Sequence, residues 1–301
     1  MARIVVVGSL NMDLVAVAPR IPVAGETITG SNFFTAPGGK GANQAYAAAK
    51  LGGVTAMLGR VGEDDFGRAM RGNLASVGCD VAGVRTVAGP SGVALIFVAE
   101  NGANCIVIAP GANHKFVPDD IGANASVFDD CQVMLLQLEI PIEAVIAAAL
   151  HAKSRGVRVI LDPAPAPSAA LPEELLKAVD ILTPNESEAA MLTGLAPGPL
   201  TVEQAGAIAR MLQAKGTRTV IVKLGEQGCL LADGDTQRLI RAPKVKAVDT
   251  TAAGDVFNAA LAVALSEGQD LVAACEFAAR AGAVSVTRMG AQSSAPSRSE
   301  V

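Results

Sequence analysis

Apolar positions recur along this chain in two alternating rhythms. Residues 4–7 are a continuous apolar run closed by Gly8, which predicts a strand buried on both faces. Residues 41–51 are rich in alanine and other good helix formers and stop at Gly52-Gly53, which predicts a helix. A strand at 54–58 and a helix at 65–77, ended by Gly78, repeat the pair. Further on, strands at 133–138 and 157–161 flank a helix at 142–155. A short strand opens at Ile181-Leu182 and a short helix covers 186–192. A helix at 201–215, a strand at 219–223 and two final helices, 253–266 and 271–287, complete the pattern. Repeated β–α units predict an α/β fold, a mostly parallel sheet flanked by helices, with ligands at the carboxyl ends of the strands.

Two stretches break this rhythm. Residues 93–99 and 105–109 flank Asn101-Gly102, a strong turn dipeptide, and predict an antiparallel hairpin. Residues 14–37 also read as extended, with Pro19, Pro22 and Gly25 as breakers. Together these stretches predict a small accessory sheet beside one α/β body of residues 1–301. Residues 163–172, rich in Pro and Ala, read as a loop.

Composition narrows the function classes. Of the 301 residues, 24 are Lys or Arg and 29 are Asp or Glu, a formal net charge of −5. This acidic balance argues against nucleic-acid or anionic-membrane binding. With no Trp and one Tyr, the chain also lacks aromatic platforms for stacking bases. The five cysteines, Cys79, Cys105, Cys131, Cys229 and Cys275, have no zinc-ligand spacing. Their odd number, with no signal-peptide pattern, is expected of free thiols, most simply small buried hydrophobes, in a cytoplasmic protein. Neither His114 nor His151 lies in a nucleophile or metal pattern.

Asp249-Thr250-Thr251-Ala252-Ala253-Gly254-Asp255 stands just before an apolar helix. Small residues let backbone amides approach a ligand, and a helix N-terminus favours anions such as an ATP γ-phosphate. Asp255, in the first turn, is placed to take a proton from an attacking hydroxyl. The plainer reading is an acid that stabilises the helix dipole. Gly38-Gly39-Lys40-Gly41-Ala42-Asn43-Gln44 leads into another helix and offers Lys40 and Asn43 as donors. Its spacing does not fit GxxxxGK[ST], so it is no Walker A loop. Asn11-Met12-Asp13 can hold two sugar hydroxyls, or simply cap a turn.

Gln137-Leu138-Glu139 ends a predicted strand, where α/β sheets place binding residues. Asn185 and Glu188, three apart at a helix start, are hard oxygen donors that suit Mg²⁺, and equally suit an N-cap and a first-turn acid. Lys223-Leu224-Gly225-Glu226-Gln227-Gly228 is a strand running into a glycine turn that either borders a nucleotide or is only a tight turn. No early GxGxxG follows the first strand, where Gly8 stands alone, and this counts against hydride transfer.

Taken together and in this order, these segments resemble the ribokinase-like (PfkB) family of sugar and nucleoside kinases over nearly the whole chain. Gly38-Gly39-Lys40-Gly41-Ala42-Asn43-Gln44-Ala45 is similar to the first family signature. The run from Asp249 through Asp255 to Val256-Phe257-Asn258 is similar to the second. Supporting pieces are Pro110-Gly111-Ala112-Asn113, Asp162-Pro163-Ala164-Pro165 and Gly290-Ala291-Gln292.

The resemblance implies ATP-dependent phosphorylation of the 5-hydroxyl of D-ribose, or of deoxyribose or a keto-sugar in a related member. It implies a β lid, inserted at about 14–37 and 86–110, that pairs two subunits into a homodimer. By match, Asn11, Asp13, Gly39, Lys40, Asn43 and Glu139 would hold the sugar, and Asp255 would be the base. Amides of Ala252, Ala253 and Gly254 would form the anion hole. Asn185, Lys223, Gly225, Gly228 and Gly254 would serve the nucleotide, and Asn185 and Glu188 would serve Mg²⁺ through water. Asp249, Thr251, Ser285, Arg288, Gly290 and Ser294 would surround K⁺, several through backbone carbonyls. A regulator that kept the fold and lost catalysis is the competing class, and the intact Asp255 and anion hole argue against it.

Overall fold

The computed structural model describes residues 3–301. In chain order the strands are β1 (Ile4–Val7), β2 (Asn11–Ala18), β3 (Asn32–Gly38), β4 (Thr55–Gly62), β5 (Val84–Val87), β6 (Gly92–Ala99), β7 (Asn104–Ala109), β8 (Val133–Leu136), β9 (Arg158–Leu161), β10 (Ile181–Leu182), β11 (Thr219–Lys223), β12 (Cys229–Asp233) and β13 (Thr236–Ile240). The helices are α1 (Lys40–Lys50), α2 (Asp65–Ser76), α3 (Asp119–Gly122), α4 (Ile142–Ser154), α5 (Glu173–Ala178), α6 (Glu186–Leu192), α7 (Val202–Gln213), α8 (Ala253–Ser266) and α9 (Leu271–Ser285).

Nine strands form one sheet in the order β13-β12-β11-β10-β9-β8-β1-β4-β5, parallel from β11 through β5. Period-two alternation sends Ile4, Val6, Val133, Leu135 and Ile221 to one face, where they pack with α1, α8 and α9. Val5, Val7, Met134, Leu136, Val220 and Val222 go to the other, against α4, α5 and α7. α8 is buried from Asp255 to Ser266, as its apolar character all round requires. The chain leaves β1 towards β4 on one side and later returns to β8 on the other. The carboxyl ends of β1 and β8 therefore frame the switch-point crevice where such sheets bind ligands.

The second sheet has the order β3-β2-β6-β7. Its registers bring Asn11 opposite both Gly38 and Gly92, so it meets the main body at the mouth of the crevice. Val84–Val87 pairs with β4 in the large sheet, so Thr86 and Val87 lie outside the accessory sheet. Three strands of the large sheet lie outside the sequence reading: β5 forms one edge, and β12 and β13 add an antiparallel edge at the other. Cys79, Cys229 and Cys275 are buried, whereas Cys131 is half-buried and Cys105 exposed on β7, which corrects the expectation that all the thiols are core residues. His151 packs edge-on against Phe128, with ring centroids 5.0 Å apart. No helix among the described residues is long and apolar enough to cross a membrane.

Candidate active site

The loop after β1, the start of α1, the end of β8 and the start of α8 converge on one polar centre. Asp255, 4% exposed, is its hub. Asn43 Nδ2 donates to Asp255 Oδ2 at 3.0 Å and Gln44 Nε2 donates to Oδ1 at 3.0 Å. Each amide is oriented by a further group. Gln292 Nε2 donates to Asn43 Oδ1 at 3.2 Å, and Gln137 Nε2 donates to Gln44 Oε1 at 2.7 Å. Gln44 Nε2 also donates to Asp162 Oδ2 at 3.0 Å, and Lys223 Nζ donates to Asp162 Oδ1 at 2.9 Å. The Asp255 carboxylate is thus held by two amides, each fixed by a further hydrogen bond.

Burial, more than the helix dipole, sets the proton affinity of Asp255. Burial pushes its carboxyl up to about 6, against the pull of Lys40 and with a further push from Asp162. Asp13 is pushed up to about 7, first by burial and then by the charges of Glu139 and Asp255. Lys40 lies among the carboxylates responsible. Burial opposes its charge, yet Asp255, Asp162, Glu139 and Glu188 hold its ammonium above the ordinary lysine range.

The α8 entry has the shape an anion site needs. Ala252 is in the left-handed region (φ 58°), unlike every other non-glycine residue described. The amides of Ala252, Gly254 and Asp255 have no protein acceptor among the described residues, whereas that of Ala253 makes a turn bond to Thr250 O at 3.3 Å. Three free N–H groups at a helix N-terminus are a binding surface for a phosphoryl group.

On the accessory-sheet side, Asn113 fixes Asn11. Its Nδ2 donates to Asn11 Oδ1 at 2.8 Å and to Leu10 O at 2.9 Å, and its Oδ1 accepts from Leu10 N at 2.9 Å. The Asp13 carboxylate has no hydrogen-bond donor among the described residues and lies against Gly38, where a methyl group would fall 2.4–2.6 Å from it. Gly39 has φ 88° and abuts Asn11 N, so the turn into α1 needs glycine for both conformation and space. Glu139 Oε2 accepts from Ser9 Oγ at 2.5 Å and from Lys40 N at 3.0 Å, so Glu139 is tied to the loops rather than loose on the surface.

A neighbouring cavity of about 400 Å³ is lined by Lys40, Asp162, Asn185, Glu188, Lys223, Gly225 and the Thr250–Asp255 loop. Asn185 and Glu188 form a capping box: Asn185 Oδ1 accepts from Glu188 N and Glu188 Oε2 accepts from Asn185 N, both at 2.8 Å. The plainer reading of this pair is therefore present, and it leaves Glu188 Oε1 uncommitted. Burial raises the Glu188 carboxyl above its usual range. Gly228 (φ 101°) packs against Ile240 O, so its lack of a side chain serves the β12–β13 edge.

At the back of the α8 loop, Asp249 Oδ1 accepts from Thr251 N and Oγ1, and Oδ2 accepts from Gly290 N at 2.8 Å. Ser285 Oγ and Ser294 Oγ both donate to local carbonyls, and the Arg288 side chain pairs with Glu300. Gln44, Asn113, Asp162 and Gln292 were not assigned roles from sequence. All four lie in segments already singled out, but their partners are remote in the chain.

The family model for pfkB family carbohydrate kinases matches residues 1–298. The chain is 43% identical to a Schizosaccharomyces pombe ribokinase over 311 aligned positions, covering 100% of this chain and 97% of the relative. It is 40% identical to a Salmonella typhimurium deoxyribokinase, covering 98% and 95%. The structure of an Arabidopsis thaliana ribokinase complexed with ribose and ATP superposes with a TM-score of 0.91 at 38% identity, over 99% of this chain and 97% of that one. With the switch-point crevice, the buried aspartate and the free amides of the α8 entry, these likenesses establish that the chain belongs to the pfkB family of carbohydrate kinases.

Proposed function

We propose that this protein transfers the γ-phosphoryl group of ATP to the 5-hydroxyl of D-ribose. The observation that carries the reading is the position of Asp255. It is buried and held by Asn43 and Gln44, carries one of the free amides of the anion hole itself, and lies near enough to the Asn11–Asp13 pocket for its charge to act on Asp13. Asp13 Oδ1 and Oδ2, Asn11 Nδ2, Glu139 and the Lys40 ammonium supply acceptors and donors for a polyhydroxylated ligand. The sugar's primary hydroxyl then points at Asp255, which accepts its proton as the oxygen attacks phosphorus. The free amides of Ala252, Gly254 and Asp255 receive the charge that develops on the phosphoryl oxygens.

The cavity beside Lys223 and Gly225 is the nucleotide site. Glu188 Oε1 and the neighbouring Asp162 make an oxygen-rich wall that fits Mg²⁺ bound through water, with Asn185 shaping the turn. When bound, that ion neutralises phosphate charge. We place K⁺ where the Asp249–Thr251 turn is tied to the Ser285–Ser294 segment through Asp249 and Val286 O. Its donors there are backbone carbonyls and hydroxyl oxygens, whose lone pairs stay free while the hydroxyls of Thr251, Ser285 and Ser294 donate to protein acceptors, and the Arg288 side chain turns away to Glu300.

The accessory sheet acts as the lid and as the homodimer surface. Phe33, Leu95, Phe97, Ile106 and Val107 are exposed on its strands, an apolar patch of the kind that subunits cover.

Identity does not separate ribose from deoxyribose, since relatives of both names lie near 40%. We favour ribose on the assignment of Asp13 to two sugar hydroxyls, since a half-buried carboxylate with no protein donor is penalised when one of those hydroxyls is missing. The test is ADP release with ribose, 2-deoxyribose, fructose and adenosine, at fixed Mg²⁺ and ionic strength, in K⁺, Na⁺ or a bulky organic cation. Ribose is expected to give the highest kcat/KM and K⁺ the highest rate. Equal use of ribose and deoxyribose overturns the substrate assignment, and equal rates in the three cations remove the K⁺ site.

A further inference from the structure

We propose that Lys223 is a catalytic residue: its ammonium contacts the γ-phosphoryl group of ATP, and in the free protein Asp162 holds it ready beside the anion hole. The inference rests on the functional reading above and assigns a specific phosphate contact within it.

Lys223 is the last residue of β11, at the carboxyl edge of the sheet, and its side chain is only 12% exposed. Nζ donates to Asp162 Oδ1 at 2.9 Å. On its other side it lies against the first turn of α8, where a methyl group on Gly254 would sit 3.2 Å from it. The ammonium therefore stands between a buried carboxylate and the free amide of Gly254, inside the cavity that ends at Asp255.

A lysine has three donors on a flexible stem, and here one is engaged by Asp162, which leaves others for a ligand oxygen. Asp162 keeps a second partner, Gln44 Nε2 at 3.0 Å, so it stays hydrogen-bonded when Lys223 turns away. Gln44 donates from the same nitrogen to Asp255, so the lysine and the base are oriented by one amide.

In the transfer, the bond from the γ-phosphorus to the β,γ-bridging oxygen breaks and its electron pair stays on ADP. The bond from the sugar oxygen to phosphorus forms, and the hydroxyl proton passes to Asp255. Lys223 takes no part in the proton transfer, and its ammonium offsets charge on the moving group. The alternative role, neutralising buried Asp162 alone, involves no phosphate.

The two roles differ in which nucleotide feels the lysine. Without sugar, calorimetric titrations with Mg²⁺–ADP and with the Mg²⁺ complex of a non-hydrolysable β,γ-imido triphosphate read that difference, whichever sugar the protein uses. In Lys223→Gln, affinity for the triphosphate analogue is expected to fall about 10- to 100-fold, the span of one hydrogen bond to a charged group, while ADP binding stays within about twofold. Asp162→Asn frees the ammonium and is expected to raise the preference for the triphosphate analogue over ADP. This second variant keeps the test open if Lys223→Gln does not fold. Equal effects on the two nucleotides in either folded variant, or no effect, overturn the proposal.

Discussion

Asp255→Asn will still bind ribose and ATP, but its turnover will fall by about 10²–10⁴-fold, the range general-base catalysis supplies. The substitution keeps the shape at the start of α8 and leaves the amides of Ala252 and Gly254 in place, so ligand affinities measured by calorimetry should change little. What it removes is the carboxylate held by Asn43 and Gln44. In the wild type the same carboxyl, pushed up to about 6 by burial, must be ionised to accept a proton. The rate should therefore be full at pH 8 and decline as pH falls through about 6, and the residual rate of the variant should lack that limb. Near-normal turnover in Asp255→Asn would assign proton removal to another group, or show that it has no part in the slow step.

Asp13→Ala is expected to weaken ribose use by about 1.5–3 kcal/mol, roughly 10- to 150-fold in kcat/KM, with ATP affinity unchanged. The carboxylate has no protein donor among the described residues, so sugar hydroxyls are expected to supply its hydrogen bonds. A folded variant that loses ATP affinity as much as ribose use would show the residue to be misplaced in the mechanism.

The same residue carries a signed effect on stability. Its folded-state carboxyl is raised to about 7, above the usual value of 3.8, so the folded protein binds the proton more tightly than the unfolded chain. That contribution is fully present below about 4 and is lost as pH rises through about 7. Asp13→Asn, which cannot ionise, should gain Tm relative to the wild type at pH 8 compared with pH 5. An equal Tm difference at both pH values would show that the charge is not penalised in the free site.

How much of this was legible in the sequence depends on how far each signal reaches along the chain. The β–α alternation was legible because a buried strand and an amphipathic helix each carry their period within a few residues. α8, predicted at 253–266, is the helix found at Ala253–Ser266. The two signature segments were legible for the same reason: a glycine turn into a helix is written in consecutive residues. β13 was not, since Thr236, Gln237 and Arg238 are exposed on an edge strand and show no apolar alternation; β12 does carry a local signal, the buried apolar run from Cys229 to Ala232, which follows the Gly225–Gly228 turn so closely that the turn masks it. Nor did the capping box of Asn185 and Glu188 separate itself from a metal pair, because both readings use the same two residues at the same spacing.

Only the tertiary structure decided which side chains meet. Asn43 and Asp255 are 212 residues apart, Ser9 and Glu139 are 130 apart, and Lys223 and Asp162 are 61 apart. Hydrophobic periodicity chooses the face of a strand but says nothing of its neighbours. Placing β8 beside β1, and so Glu139 beside Ser9, follows from the strand order of the sheet. Burial likewise belongs to the assembled fold. A first-turn aspartate beside a helix dipole is ordinarily acidic, and the layers that enclose Asp255 are what raise its carboxyl towards the range of a working base. The sequence by itself determined the elements and the residue types of the site. Desolvation and long-range hydrogen bonding, which exist only once the sheet has closed over them, determined which of those residues hold one another and with what proton affinity.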